Sequence, residues 1–120
     1  MQLFADIGEE GGIHKGLGWI SGRTRRFQID EKKFRLPHIG WNDVEIRTGS
    51  TLFEGATPAV FYFVHSYLIE PSDSSAVVAT CDYGEVFSAA VEKENIFGMQ
   101  FHPEKSQKAG LTVLRNFIAV

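Results

Sequence analysis

The run AVFYFVHSYLI, Ala59 to Ile69, constrains this chain more than any other stretch. It is rich in aromatic and β-branched residues, and it holds no Gly or Pro, so it reads as one long strand. A strand of this kind needs neighbours to pair with and a covered face to bury its rings. The neighbours are at hand. LGWI (Leu17 to Ile20), RRFQI (Arg25 to Ile29), VEIR (Val44 to Arg47) and AVVATC (Ala76 to Cys81) are short apolar or alternating runs bounded by polar turns. VFSAAVEK and NIFGMQF follow, with Glu-Asn at their junction, and predict a hairpin.

Both ends read differently. MQLFADIGEEGG reads as the tail of a helix that has no N-cap before Met1, running into a Gly-rich turn at GGIHKG. From Gln107 to Val120 the apolar period changes. Leu111, Leu114, Phe117 and Ile118 recur at helical offsets and predict an amphipathic helix with those residues on its buried face. The expectation is one structural unit over residues 1–120, mostly β, with helices covering a face.

Composition excludes some classes of function. At 120 residues, 43% hydrophobic and ten Phe, the chain can build one real core. The net charge of -3 and the shortness of the Arg23, Arg25, Arg26 cluster argue against a nucleic-acid partner. No apolar run approaches the roughly 18 residues of a membrane span, and no signal-peptide pattern is present. One cysteine rules out an internal disulfide and fits a reducing compartment, with the cytoplasm as the expected location. No His, Cys or Asp grouping has metal-ligand spacing, and GGIHKGLG matches neither a P-loop nor a dinucleotide fingerprint. Neither a metal nor a cofactor is expected.

The pattern closest to chemistry is FHPEKS. Pro103 pushes His102 into an extended conformation, and residues two apart in an extended segment project to the same side. His102 and Glu104 can therefore share one site, the carboxylate fixing one imidazole nitrogen and leaving the other free to take a proton. On spacing alone, a solvated loop with an incidental His and Glu fits better. If His102 is a base, Cys81 is a poor nucleophile for it: it ends an apolar run, precedes Asp82, and reads as a small buried hydrophobe.

Several stretches together resemble one family. GMQFHPEKSQKAGLTVLRNF is similar to the C-terminus of class I (triad) glutamine amidotransferases, nearest to the glutaminase subunit of imidazole glycerol phosphate synthase. GLGWISGRTRRF, LPHIGWNDVEIR, FYFVHSYLIEP and ATCDYGEVFSAAVEKENIFG agree with it in order, so the resemblance covers essentially the whole chain.

The resemblance implies an α/β, flavodoxin-like amidotransferase fold, of which residues 1–120 are the C-terminal, strand-rich portion with a terminal helix. It implies a Cys-His-Glu triad with His102 as base and Glu104 as its orienter. The cysteine belongs to a G-x-C-x-G-M-Q elbow, and Met1-Gln2 match the last two letters, which places the nucleophile upstream of residue 1. Gln2, His65, Ser66 and Tyr67 match positions lining the pocket for L-glutamine. Pro37, His38, Trp41, Asn42 and Lys105 match the surface toward a (β/α)8 cyclase subunit, the partner in a heterodimer.

Without the N-terminal strands and helices that the resemblance implies, the inner face of Ala59 to Ile69 is expected to be exposed and the chain alone to aggregate or be partly disordered. Two other readings stay open. One is a paralogous amidotransferase for amino-sugar and surface-polysaccharide synthesis, suggested by Trp19 in GLGWISG. The other is a non-catalytic partner-binding remnant or truncated gene product.

Overall fold

Ten strands and one helix make up the protein, and the computed structural model describes all of residues 1–120. The strands are β1 (Ile7–Gly8), β2 (His14–Lys15), β3 (Gly22–Arg26), β4 (His38–Asp43), β5 (Glu45–Ile46), β6 (Val60–His65), β7 (Tyr67–Pro71), β8 (Val77–Asp82), β9 (Val86–Lys93) and β10 (Ile96–Met99). The helix α1 (Gln107–Ala119) closes the chain. One sheet runs β2-β1-β3-β7, a second runs β10-β9-β8-β5, and β4 pairs with β6 as a separate antiparallel ribbon. Only β1 and β3 pair in parallel.

The long run Ala59 to Ile69 is not one strand. It breaks at Ser66, where β6 leaves the ribbon with β4 and β7 enters the sheet beside β3. No Gly or Pro marks the break; it is set by two partner strands distant in sequence. The inner residues of β6, Phe61 and Phe63, are fully buried in a core with Leu52, Phe53, Phe87, Phe101 and Val113, contrary to the exposure expected for this face. Phe101 stacks on Phe61 with centroids 4.1 Å apart, which locks the residue before His102 into that core.

Three other expectations are corrected. The segment at Met1 is a single 3-10 turn, Gln2–Phe4, and no helix tail. GGIHKG is the end of the β1–β2 hairpin, and LGWI forms no strand: Leu17, Gly18 and Ile20 donate their amides to Leu3, Ala5 and Phe4 outside any ladder. The helix Gln107 to Val120 forms as predicted but buries a different face. Ala109, Gly110 and Val113 face inward, while Leu111, Phe117 and Ile118 are exposed. The reason is proximity. A Cβ on Gly110 would stand 2.8 Å from the carbonyl carbon of Pro103 and from Ser106 Cβ, so the helix lies too near its own entry turn for larger residues.

The arginine cluster in β3 is neutralised by carboxylates. Arg23 pairs with Glu70 at 2.7 Å, Arg26 with Glu31 at 3.2 Å, and buried Arg25 with Glu85 at 3.0 Å and Glu70 at 3.3 Å. No helix is long and apolar enough to cross a membrane.

Candidate active site

Pro103 opens a 3-10 turn, Pro103–Lys105, and the residue before it is held extended at φ -94° and ψ 97°. His102 is anchored on both backbone sides. Its amide donates to the Tyr62 carbonyl of β6 at 2.8 Å, and its carbonyl accepts from Lys105 N at 3.1 Å and from the Ser106 hydroxyl at 2.6 Å. Ser106 Oγ also accepts from Tyr62 N at 3.0 Å. Ser106 is the N-cap residue of α1 but makes no capping bond, because its hydroxyl is spent on tying His102 to β6. Sequence reasoning missed Ser106. Its signal was a serine placed between a Pro turn and a helix, where a cap is the ordinary reading.

The turn brings the predicted pair together. His102 Nδ1 lies 2.9 Å from Glu104 Oε1. A carboxylate oxygen accepts, so Nδ1 carries the proton and Nε2 is left with its lone pair. The Glu104 carboxyl is held below its usual range, first by its own backbone amide and then by His102. Both side chains are open to solvent on one side, so the arrangement can take a proton from a group delivered to Nε2.

The HSY segment sits at the junction of β6 and β7. The Tyr67 carbonyl accepts two side-chain bonds, from His65 Nδ1 at 2.8 Å and from Gln2 Nε2 at 2.9 Å. Gln2 Nε2 also reaches Gln100 Oε1 at 3.2 Å, and Thr24 Oγ1 donates to the Gln2 carbonyl at 2.8 Å. Gln2, His65 and Tyr67 therefore meet at one oxygen, and Ser66 lies between them, half-buried, with its carbonyl accepting from Phe27 N at 3.1 Å.

The residues expected to face a partner separate into two groups. Along β4, alternation sends Ile39 and Trp41 outward and His38 and Asn42 inward. Trp41 meets Tyr62 edge-on, with centroids 5.7 Å apart, and Lys105 Nζ lies 5.7 Å from the Tyr62 ring. With exposed Ile39 and Val64, and Pro37 exposed at the strand's start, these make one apolar patch crowned by a cation. His38 does not belong to it. Only 2% of its surface is exposed, so it cannot touch a partner directly, and Asn42 points the same way, with its amide on the Asp82 carbonyl at 3.0 Å.

Cys81 is 2% exposed, and burial, with Asp82 and Asp43 nearby, pushes its thiol up to about 12. A thiol in that state is no nucleophile for His102. No three His, Cys, Asp or Glu side chains converge as metal ligands.

The family model described as glutamine amidotransferase class-I matches residues 2–120. The chain belongs to the class-I glutamine amidotransferases.

Among curated relatives of this amidotransferase chain, the imidazole glycerol phosphate synthase subunit HisH of Pelagibacter ubique is 51% identical over 98% of the chain and 57% of its own length. The protein of the same name from Chlorobium luteolum is 50% identical, over 98% of the chain and 58% of its own length. The chain thus spans just over half the length of the curated relatives it matches. The solved structure of a Thermoplasma acidophilum protein, described as one subunit of a GMP synthase, superposes with a TM-score of 0.60 at 19% identity, over 82% of this chain and 47% of that one. At that identity the likeness speaks for the amidotransferase fold alone, an α/β arrangement of sheets with a terminal helix.

Proposed function

We propose that residues 1–120 are the C-terminal part of a single glutamine amidotransferase domain, the glutaminase subunit that feeds ammonia to imidazole glycerol phosphate synthesis in histidine biosynthesis. The observation that carries this reading is the 2.9 Å bond from His102 Nδ1 to Glu104, which leaves Nε2 poised as a base. The relatives near 50% identity, each called an imidazole glycerol phosphate synthase subunit, support the choice of pathway over the amino-sugar paralogue.

In this reading His102 Nε2 takes the proton of a cysteine thiol outside residues 1–120, since Cys81 is buried and protonated. The thiolate attacks the glutamine side-chain amide carbon. As the C–N bond breaks, the imidazolium returns the proton to the leaving nitrogen, which departs as ammonia and leaves a thioester. Water, deprotonated by the same imidazole, attacks the thioester carbon; the C–S bond breaks, glutamate leaves, and the imidazolium returns the proton to the thiolate. Glu104 holds the imidazole in its tautomer and stabilises the imidazolium. Gln2, Ser66 and Tyr67 hold the glutamine, with buried His65 behind them. The patch of Pro37, Trp41, Tyr62 and Lys105 receives a (β/α)8 cyclase subunit, with Trp41 as its aromatic anchor. The protein works in the cytoplasm.

The test is glutaminase activity with a cyclase partner, measured for this chain and for a version extended upstream through any in-frame Gly-x-Cys-x-Gly. Glutamate release by the extended form alone, abolished by His102→Ala, supports the reading. An extended form that carries the cysteine and stays inactive with its partner overturns it in favour of a partner-binding module.

A further inference from the structure

His38 and His65 are opposite one another across the β4–β6 ribbon, and both are buried. His38 Nδ1 lies 2.9 Å from His65 Nε2. One proton is shared in such a bond, and the groups at the two ends decide which ring owns it. At one end, His65 Nδ1 faces the Tyr67 carbonyl at 2.8 Å, and a carbonyl only accepts, so that nitrogen carries a hydrogen. A neutral His65 ring then has a bare Nε2, which accepts from His38 Nδ1–H. At the other end, the bare His38 Nε2 faces Asn42 Nδ2 at 3.4 Å. The Asn42 amide is oriented by two further bonds: its Nδ2 donates to the Asp82 carbonyl at 3.0 Å and its Oδ1 accepts from Asp43 N at 2.9 Å. All four ring nitrogens therefore have one role each. Donation runs in a single direction, from Asn42 to His38 to His65 to the Tyr67 carbonyl.

The surroundings keep both rings neutral. His38 is stacked between Phe63 and Tyr83, with centroids at 4.9 and 4.0 Å and planes 21° apart in each case. His65 packs on Phe27 at 5.0 Å and Phe87 at 4.9 Å. No carboxylate bonds either ring, so neither has a counter-ion, and burial disfavours the imidazolium.

We propose that His38 and His65 are positioning residues, a directional imidazole pair that fixes the Tyr67 carbonyl, and with it the Ser66–Tyr67 backbone, from the strand that carries Trp41. The proposal rests on the reading of HSY as part of a glutamine pocket. It gives a purpose to two buried histidines that neither face the partner nor act as the base. It also places Tyr67, where Gln2 converges, under the control of β4 and not only of its own loop.

Two measurements test it. The first is 15N spectroscopy of the histidine side chains in the active amidotransferase containing this sequence, near neutral pH. Nδ1–H tautomers at both rings are expected, with a scalar coupling from His38 Nδ1 to His65 Nε2 across the hydrogen bond. An Nε2–H tautomer at either ring overturns the pair. The second is glutamine kinetics in the cyclase-bound, active amidotransferase containing this sequence. His38→Phe fills the slot between Phe63 and Tyr83 but donates nothing to His65; His38→Asn packs worse but keeps a donor where Nδ1 stood.

If the pair positions Tyr67, His38→Phe raises KM for glutamine about tenfold, more than it lowers kcat, and His38→Asn restores KM to within about threefold of the parent. If His38 is only core filling, the order reverses, and that result sinks the proposal. His102→Ala runs beside them. Should it retain full glutaminase activity, the amidotransferase reading fails by itself, and the tautomer measurement still decides the pair.

Discussion

Ser106 Oγ donates to the carbonyl oxygen of His102 at 2.6 Å while accepting the amide of Tyr62, so one hydroxyl joins His102, the ribbon and the helix entry. Ser106→Ala removes both bonds at a buried point and leaves the Tyr62 amide without a partner. A loss of about 1–3 kcal/mol in unfolding free energy is expected. Because the loosened group is the backbone of His102, kcat for glutamine should fall while KM stays close to the parent. Denaturant melts and steady-state kinetics check the two halves.

Gly110 sits where α1 crosses the Pro103 carbonyl. Gly110→Ala gains about 1 kcal/mol of helix propensity, but overpacking at such a site costs about 1–3 kcal/mol, and here the obstacle includes backbone that cannot swing away. The expected outcome is a lower Tm and a displaced His102, read as a fall in glutaminase activity. An unchanged or raised Tm would show that the turn yields at no cost.

Arg25 is buried in β3, and Glu85 offers it both carboxylate oxygens, at 3.2 and 3.0 Å, while also accepting from Gln28 N at 2.7 Å. Glu85→Ala leaves the buried guanidinium with Glu70 as its one carboxylate and the Arg26 carbonyl as its other acceptor. The expected loss is about 3–5 kcal/mol, the range for breaking a buried pair from one side. Chemical denaturation of the variant measures it directly.

The buried histidines make stability depend on pH. Burial pulls His38 and His65 from 6.5 down to about 4; the His65 charge adds to the shift on His38, while the Tyr67 carbonyl partly offsets that on His65 and the His102 charge adds to it. In the fold both rings stay neutral where the unfolded chain already binds protons. Their contribution is therefore complete above pH 6.5, is lost as pH falls toward 4, and changes no further below that. Between pH 6.5 and 5 the slope should approach about 2.7 kcal/mol per pH unit for two protons, and His38→Phe should roughly halve it. Melts from pH 7.5 to 5 that show no slope would contradict the neutral pair.

Much of the fold and part of the site are legible in the sequence, for local reasons. The runs ending in β8, β9 and β10 carry their own apolar or β-branched pattern, and the terminal helix its own period, so each forms where its residues say. His102 and Glu104 meet because Pro103 fixes the backbone between them, which is a local fact too.

What is not legible depends on distant pairing. HIGWND, with Gly40, Asn42 and Asp43, is a poor strand by composition and becomes β4 only beside β6. The switch at Ser66 is set by β4 on one side and β3 on the other, with nothing in the run itself to announce it. The resemblance puts His38 on the partner surface with Trp41, although the alternation that turns Trp41 outward turns His38 in.

The break at Ser66 also bears on the order of assembly. β6 must find β4 and β7 must find β3, pairing Arg26 with Tyr67 and Gly22 with Pro71, before the backbone at Ser66–Tyr67 takes its final course. Closing such long loops is slow, because chain entropy is lost before the contacts form. The Ser66–Tyr67 corner is thus expected to settle late in folding. The Phe27 amide, which donates to the Ser66 carbonyl at 3.1 Å, should gain protection in the last kinetic phase, after the β8–β9 hairpin has already formed.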